Sequence, residues 1–153
     1  DYVIDAIDSL DCKALLIRRA CEAGPHTRLF SSMGAALKID PSRIAVAEFW
    51  KVRGCPLGAA LRKRMKRAGK YPARKFLCVY DDEVLPNLGP EPPLSSATQA
   101  PQSGPGDPAL INHDWSDSKA VINGSLAHIT AIFGMTLCGL LLQDIYRRSA
   151  PLQ

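Results

Sequence analysis

The sequence predicts an α/β fold with a mixed sheet flanked by helices. Three observations carry this. First, an apolar β-prone run at Tyr2, Val3, Ile4 and Ile7 gives way at Asp8 to helical spacing, and a second β-prone run follows at Arg28 to Ser32. Strand, helix and strand in that order make a βαβ unit, which requires a parallel pair. Second, Arg43 to Phe49 alternates, with Ile44, Val46 and Glu48 on one side and Ala45, Ala47 and Phe49 on the other. Third, Lys75 to Asp81 alternates again, with Phe76, Cys78 and Tyr80 set against Leu77 and Val79.

The first run reads as a strand buried on both faces, ending at Asp8. Ligands of open α/β sheets sit just beyond the carboxyl ends of strands. A carboxylate there can hold a cation such as Mg²⁺ that accompanies phosphates. Asp is also a favoured helix N-cap, and spacing by itself leaves both roles open. Asp5 lies inside the apolar run, where it must find hydrogen bonds or cost stability. The helix runs from Asp8 or Ser9 to about Ala23. Its apolar face is Leu10, Ala14, Ile17 and Cys21, widened by Leu15 and Leu16; Lys13, Arg18 and Arg19 are expected away from that face. Gly24-Pro25 stops it.

The second strand leads into Ser31-Ser32-Met33-Gly34-Ala35-Ala36. Small residues there let a backbone approach a ligand closely, though an ordinary strand-to-helix loop has the same composition. Asp40-Pro41 marks a turn before the third strand. From Phe49 to Tyr80 there is no acidic residue. Pro56 opens a helix at its first turn, and Leu57, Leu61 and Met65 form an inward stripe. Its other faces carry Arg62, Lys63, Lys66 and Arg67. Such a run is either a solvated face or a contact surface for a phosphate backbone. Cys78, between Leu77 and Val79, reads as a buried inert thiol.

Seven of the twelve prolines fall between Pro86 and Pro108, among Ser, Gly and Gln. A segment of that kind buries too little apolar surface to order itself, so residues 84–119 read as a flexible connector. His113 near its end has no second ligand in reach and is assigned no metal. The charge-free run from Ala120 to Gln143 is long enough to span a membrane. Its densely apolar part, Ala131 to Leu142, has the length of a buried core helix instead. The expected organisation is therefore 1–83 as an α/β segment, 84–119 as connector, and 120–153 as a helix packing on the first part. Membrane association through that helix is the secondary expectation.

Composition adds limits. A net charge of +4 permits an anionic partner without demanding one. Five cysteines with no C-x-x-C pair argue for reduced, cytoplasmic thiols and against a zinc knuckle. No signal peptide opens the chain, and it does not start with methionine. Neither G-x-G-x-x-G nor G-x-x-x-x-G-K-[ST] occurs, so a loop that cradles a nucleotide's phosphates is expected upstream of Asp1 or not at all.

Asp5-Ala6-Ile7-Asp8-Ser9 with Lys13 resembles the strand-end motif of the ubiquitin-activating-enzyme-like adenylyltransferases. The fuller run from Tyr2, the stretch from Ser31 through Lys38-Ile39-Asp40-Pro41 to Ile44, and Cys55-Pro56-Leu57 with the basic helix are most similar to one branch, the tRNA threonylcarbamoyladenosine dehydratases. Asn123-Gly124-Ser125 through Phe133-Gly134 matches the long helix after that superfamily's crossover loop. The resemblance implies the C-terminal part of a Rossmann-like adenylyltransferase domain. It implies ATP and Mg²⁺, with Asp8 as the catalytic carboxylate and metal ligand and with Lys13, Ser32 and Gly34 near the nucleotide. It also implies a homodimer, and an anticodon arm of tRNA held by Arg62, Lys63, Lys66 and Arg67. The implied chemistry activates the substrate carboxylate as an acyl adenylate, after which its own carbamoyl group closes a ring with net loss of water. No cysteine lies between Val79 and Leu137, where thioester-forming relatives keep theirs. Two other readings stand beside this one: an adenylyltransferase acting on a ubiquitin-like sulfur carrier, and a non-catalytic tRNA-binding remnant.

Overall fold

Four strands form one sheet: β1 (Tyr2–Asp5), β2 (Arg28–Ser32), β3 (Ile44–Glu48) and β4 (Leu77–Asp81), in the spatial order β1-β2-β4-β3. The computed structural model describes residues 1–87 and 123–149. β1 runs parallel to β2, with Val3 opposite Leu29 and Asp5 opposite Ser31. β2 runs parallel to β4, while β3 is antiparallel to it, with Val46 opposite Val79. The sheet is therefore mixed, as expected. Between the strands lie α1 (Leu10–Glu22) and α2 (Pro56–Ala68), and α3 (Ala127–Ser149) follows. These elements belong to one compact unit, Asp1–Leu85 with Ser125–Gln153. The expected connector lies outside the described residues from 88 onward, as do His113 and the first residues of the last segment, 120–122.

Alternation along the strands sends successive side chains to opposite faces. Leu29, Cys78, Phe49 and Phe76 meet Ile17, Ala20 and Cys21 of α1 and Leu61 and Met65 of α2. Phe30 and Val79 face the other way, against Ile129, Phe133 and Leu137 of α3. The sheet is thus covered on both sides. α2 starts as its sequence predicts: Cys55 is the N-cap, Pro56 takes the first helical position, and Gly69 ends the helix in the left-handed region at φ 61°.

Four expectations change. The first strand ends at Asp5, leaving residues 6–9 as a loop. It is not buried on both faces, because β1 is the edge strand and α3 lies over β2 and β4, so Ile4 stays 44% exposed. On α1, Lys13 is fully buried and Leu15 is exposed. The inward stripe is Lys13, Ile17, Ala20 and Cys21 at helical spacing, and Leu15 falls outside it. Finally, α3 is not a helix buried all round. Only Ile129, Phe133 and Leu137 are buried, and Met135, Leu142 and Tyr146 are exposed, since one side of a helix can touch one sheet. By length and composition alone α3 could cross a membrane. Its far end is tied to the sheet edge: Asp144 accepts from the Tyr2 hydroxyl at 2.8 Å and pairs with Arg148 at 2.8 Å.

Candidate active site and cationic surface

The carboxyl ends of β1 and β2 are bound together from below. Asp5 is fully buried, and three groups serve it: the Ser31 hydroxyl donates at 2.6 Å, the Ile7 amide at 3.1 Å, and Lys13 Nζ pairs at 2.8 Å. The same Lys13 ammonium donates to the carbonyls of Ser32 at 2.7 Å and Ile7 at 3.2 Å. An ammonium has three protons, and these three acceptors take them. Asp5 therefore finds the partners its position demanded, and one cation ties the loop after β1 to the end of β2.

Above this knot is a cleft of about 410 Å³. Ala6, Ile7 and Asp8 form one wall, and Ser32, Met33, Gly34 and Ala35 form another. Leu57 of α2 and Thr130, Phe133, Gly134 and Leu137 of α3 close it, with Ser125 at its side. It lies where open α/β sheets bind ligands. Asp8 is exposed at its mouth, in the turn before the Ser9 N-cap. Of the sequence-derived candidates, Asp8, Ser32 and Gly34 come together here. Lys13 does not: it supports the two walls from beneath and is absent from the lining. Gly34 has no positive φ, and an added Cβ would rest 3.5 Å from the Leu57 Cβ. Glycine there leaves room in the cleft and is not demanded by the backbone.

Sequence reasoning did not single out Thr130 or Ser125 as lining residues. The Thr130 hydroxyl donates to the Ala127 carbonyl at 3.0 Å, so its proton is engaged within α3. The match of Asn123 through Gly134 to the family's long helix was the available signal. Cys78, 0% exposed on β4, has its thiol pushed up by burial, which keeps it protonated and inert as expected.

On α2 the four cations expected to meet nucleic acid divide. Lys63, Lys66 and Arg67 are exposed. Arg62 is half-buried, donates to the Phe49 carbonyl at 3.1 Å and lies over the Phe49 ring at 5.9 Å, so it braces the fold rather than reaching outward. Arg64 pairs with Asp11 of α1 at 2.6 Å.

No family model matches the chain. Among curated relatives, tRNA threonylcarbamoyladenosine dehydratase of Escherichia coli K12 is 45% identical over 65 residues, which is 42% of this chain and 24% of the relative. The Bacillus subtilis enzyme of that name is 36% identical over 69 residues, or 45% of this chain and 26% of the relative. Among solved structures, the E. coli tRNA N6-threonylcarbamoyladenosine dehydratase in complex with AMP superposes with TM-score 0.65 at 28% identity, covering 99% of this chain and 50% of that one. The same protein in complex with ATP gives 0.65 at 26% identity, again over 99% and 50%. The chain is thus similar in sequence and fold to the tRNA threonylcarbamoyladenosine dehydratases and spans about half the length of their solved structures.

Proposed function

We propose that this chain contributes the adenylate-handling end of an ATP-dependent enzyme that dehydrates tRNA threonylcarbamoyladenosine to its cyclic form. The observation that carries the reading is the cleft itself, where Asp8 and the distant Ser32 and Gly34 line one space at the carboxyl ends of two parallel strands. The AMP and ATP complexes of the solved relatives support the same ligand class. In the proposed reaction the substrate carboxylate attacks the α-phosphorus of ATP and pyrophosphate leaves. The carbamoyl group then attacks the acyl adenylate, AMP leaves, and a ring closes.

Asp8 would hold Mg²⁺. Among the described residues no three His, Cys, Asp or Glu side chains gather to hold a metal by themselves. One carboxylate with phosphate and water oxygens is the ligand set Mg²⁺ commonly takes, so Asp8 fits. When bound, such a cation neutralises charge that develops on phosphate oxygens. Lys13 would act on the backbone, holding the Ile7 and Ser32 carbonyls at a fixed separation. Lys63, Lys66 and Arg67 would grip the tRNA backbone. A cytoplasmic homodimer completes the proposal.

The test uses the protein extended to the full length of its solved relatives, because the sequence has neither G-x-G-x-x-G nor G-x-x-x-x-G-K-[ST] and spans about half of them. The chain by itself should not exchange ATP, and micromolar ATP affinity by calorimetry would contradict that. In the extended protein Asp8→Asn should lower tRNA-dependent ATP–pyrophosphate exchange by about 100-fold or more while leaving the melting temperature unchanged. Asp5→Asn should mainly lower the melting temperature. Near-normal exchange by Asp8→Asn would refute the catalytic role and leave Asp8 a turn residue.

A further inference from the structure

Two aromatic rings stand on the surface, one just before α2 and one just after it. Trp50 is 39% exposed and Tyr71 53% exposed, with centroids 6.0 Å apart and planes tilted by 46°. Isolated exposed aromatics need no explanation, but these two form a pair on a rigid base. Trp50 meets the buried Phe49 edge-on at 5.1 Å, and Phe49 stacks on the buried Phe76 at 5.0 Å. The Trp50 amide is held by Glu48 Oε2 at 3.1 Å. Tyr71 is brought back by the helix cap: Gly69 takes the left-handed conformation and the Lys70 amide donates to the Met65 carbonyl at 3.1 Å.

Cations are close to the pair along the chain. Lys51 follows Trp50, Lys70 precedes Tyr71, and Lys66 and Arg67 occupy the last turn of α2; all four are exposed. The chain has no Asp or Glu from Phe49 to Tyr80, and the carboxylate beside the pair, Glu48, is engaged with the Trp50 amide. Partly exposed indole and phenol rings beside a cationic helix end match one ligand chemistry. Unpaired nucleobases stack on aromatic side chains while their phosphates meet Lys and Arg. A base-paired stem offers phosphates but no free base face.

We infer that Trp50 and Tyr71 form a stacking platform for an unpaired base of an RNA loop, with Lys51, Lys66, Arg67 and Lys70 receiving the flanking phosphates. The inference rests on the reading of α2 as an RNA-binding surface and adds which part of the RNA it takes. It gives the surface a preference for loops over stems that charge by itself cannot supply.

The experiment uses the whole chain carrying Trp115→Phe, so that Trp50 is the one remaining indole. It is titrated with an RNA hairpin and with the blunt duplex of the hairpin's stem. The hairpin should quench Trp50 emission and bind more tightly than the duplex. Trp50→Leu and Tyr71→Leu, followed by anisotropy of labelled RNA, should each weaken hairpin binding by about tenfold. Duplex binding and the salt slope should stay unchanged, and Trp50→Phe, which keeps a ring, should retain most of the affinity. Lys66→Glu with Arg67→Glu should weaken both RNAs and flatten the slope. Salt-dependent binding of both RNAs without quenching, and without loss in Trp50→Leu, would overturn the platform while leaving the cationic surface standing. Failure of both RNAs to bind would overturn the platform and the cationic surface together. Trp50 emission that shifts on dilution of the protein, with no response to RNA, would assign the pair to contact between copies and overturn the inference.

Discussion

Replacing Lys13 by Met should destabilise this chain more than any surface change. The side chain is fully buried, 2.8 Å from an equally buried Asp5 carboxylate, and it donates to two carbonyls at 2.7 and 3.2 Å. Met matches its length and removes the charge. Asp5 would keep the Ser31 hydroxyl and the Ile7 amide but lose its counter-ion. Breaking a buried pair from one side costs about 3–5 kcal/mol. The freed Ser32 and Ile7 carbonyls add to this. We expect about 4 kcal/mol, a large fraction of the roughly 5–15 kcal/mol that holds a domain folded. Asp5→Asn is milder, about 1–3 kcal/mol, since the amide oxygen still accepts from Lys13 and Ser31. In the double variant neither charge is stranded, so its loss should fall short of the sum by about 1–3 kcal/mol. Urea unfolding followed by circular dichroism measures all three, and with an m-value of about 1–3 kcal/mol/M the Lys13→Met midpoint should drop by more than about 1 M. A cost below about 1 kcal/mol, or strict additivity with Asp5→Asn, would refute the idea that this pair holds the cleft floor together.

Other consequences are as definite. Gly54 has φ 62°, and an added Cβ would lie 2.6 Å from the Asp82 Cβ and 2.7 Å from its carbonyl oxygen. Gly54→Ala should therefore lower stability by about 2–4 kcal/mol, read as a fall in melting temperature, whereas Gly69→Ala, with open space around it, should cost only the backbone strain of about 1 kcal/mol. Glu83 is held below the ordinary carboxyl range by the Ile39 and Asp40 amides, and Asp40 by the Ser42 hydroxyl and amide. A folded value below the unfolded one stabilises fully above about pH 4.3 and is lost as pH falls through the folded value. The melting-temperature gap between the native chain and Glu83→Gln should thus close on acidification from pH 6 to 3, and a gap that stays constant would refute the linkage. Reversing Lys63, Lys66 and Arg67 to Glu should weaken tRNA binding on filters and reduce the slope of log affinity against log salt by about 2–3, whereas Arg62→Gln should act mainly on stability.

Much of this protein is legible along the chain. Periodicity placed all four strands and the first two helices, because side chains alternate by two along a strand and return every 3.6 residues on a helix. Gly24-Pro25 and Pro56 marked element ends through their own backbone limits. The run around Asp5 and Asp8 pointed to the strand end, and Asp5 was rightly expected to be buried with partners. Local pattern, however, cannot say what lies across space. That Lys13 turns inward follows from the carboxylate and two carbonyls that the ends of β1 and β2 bring to it. That Arg62 braces Phe49 while Lys63 remains outward follows from the helix phase set by Leu61 and Met65. Ile4 and the outer side of α3 are exposed because strand order and helix placement leave them uncovered, and composition shows only that they are apolar. The pairing of Trp50 with Tyr71, twenty-one positions apart, exists only because a helix and its left-handed cap return the chain to where it began. Elements are dictated by short-range sterics and periodicity; a buried ion pair, a cleft or an aromatic pair needs groups that only packing brings within a few ångströms.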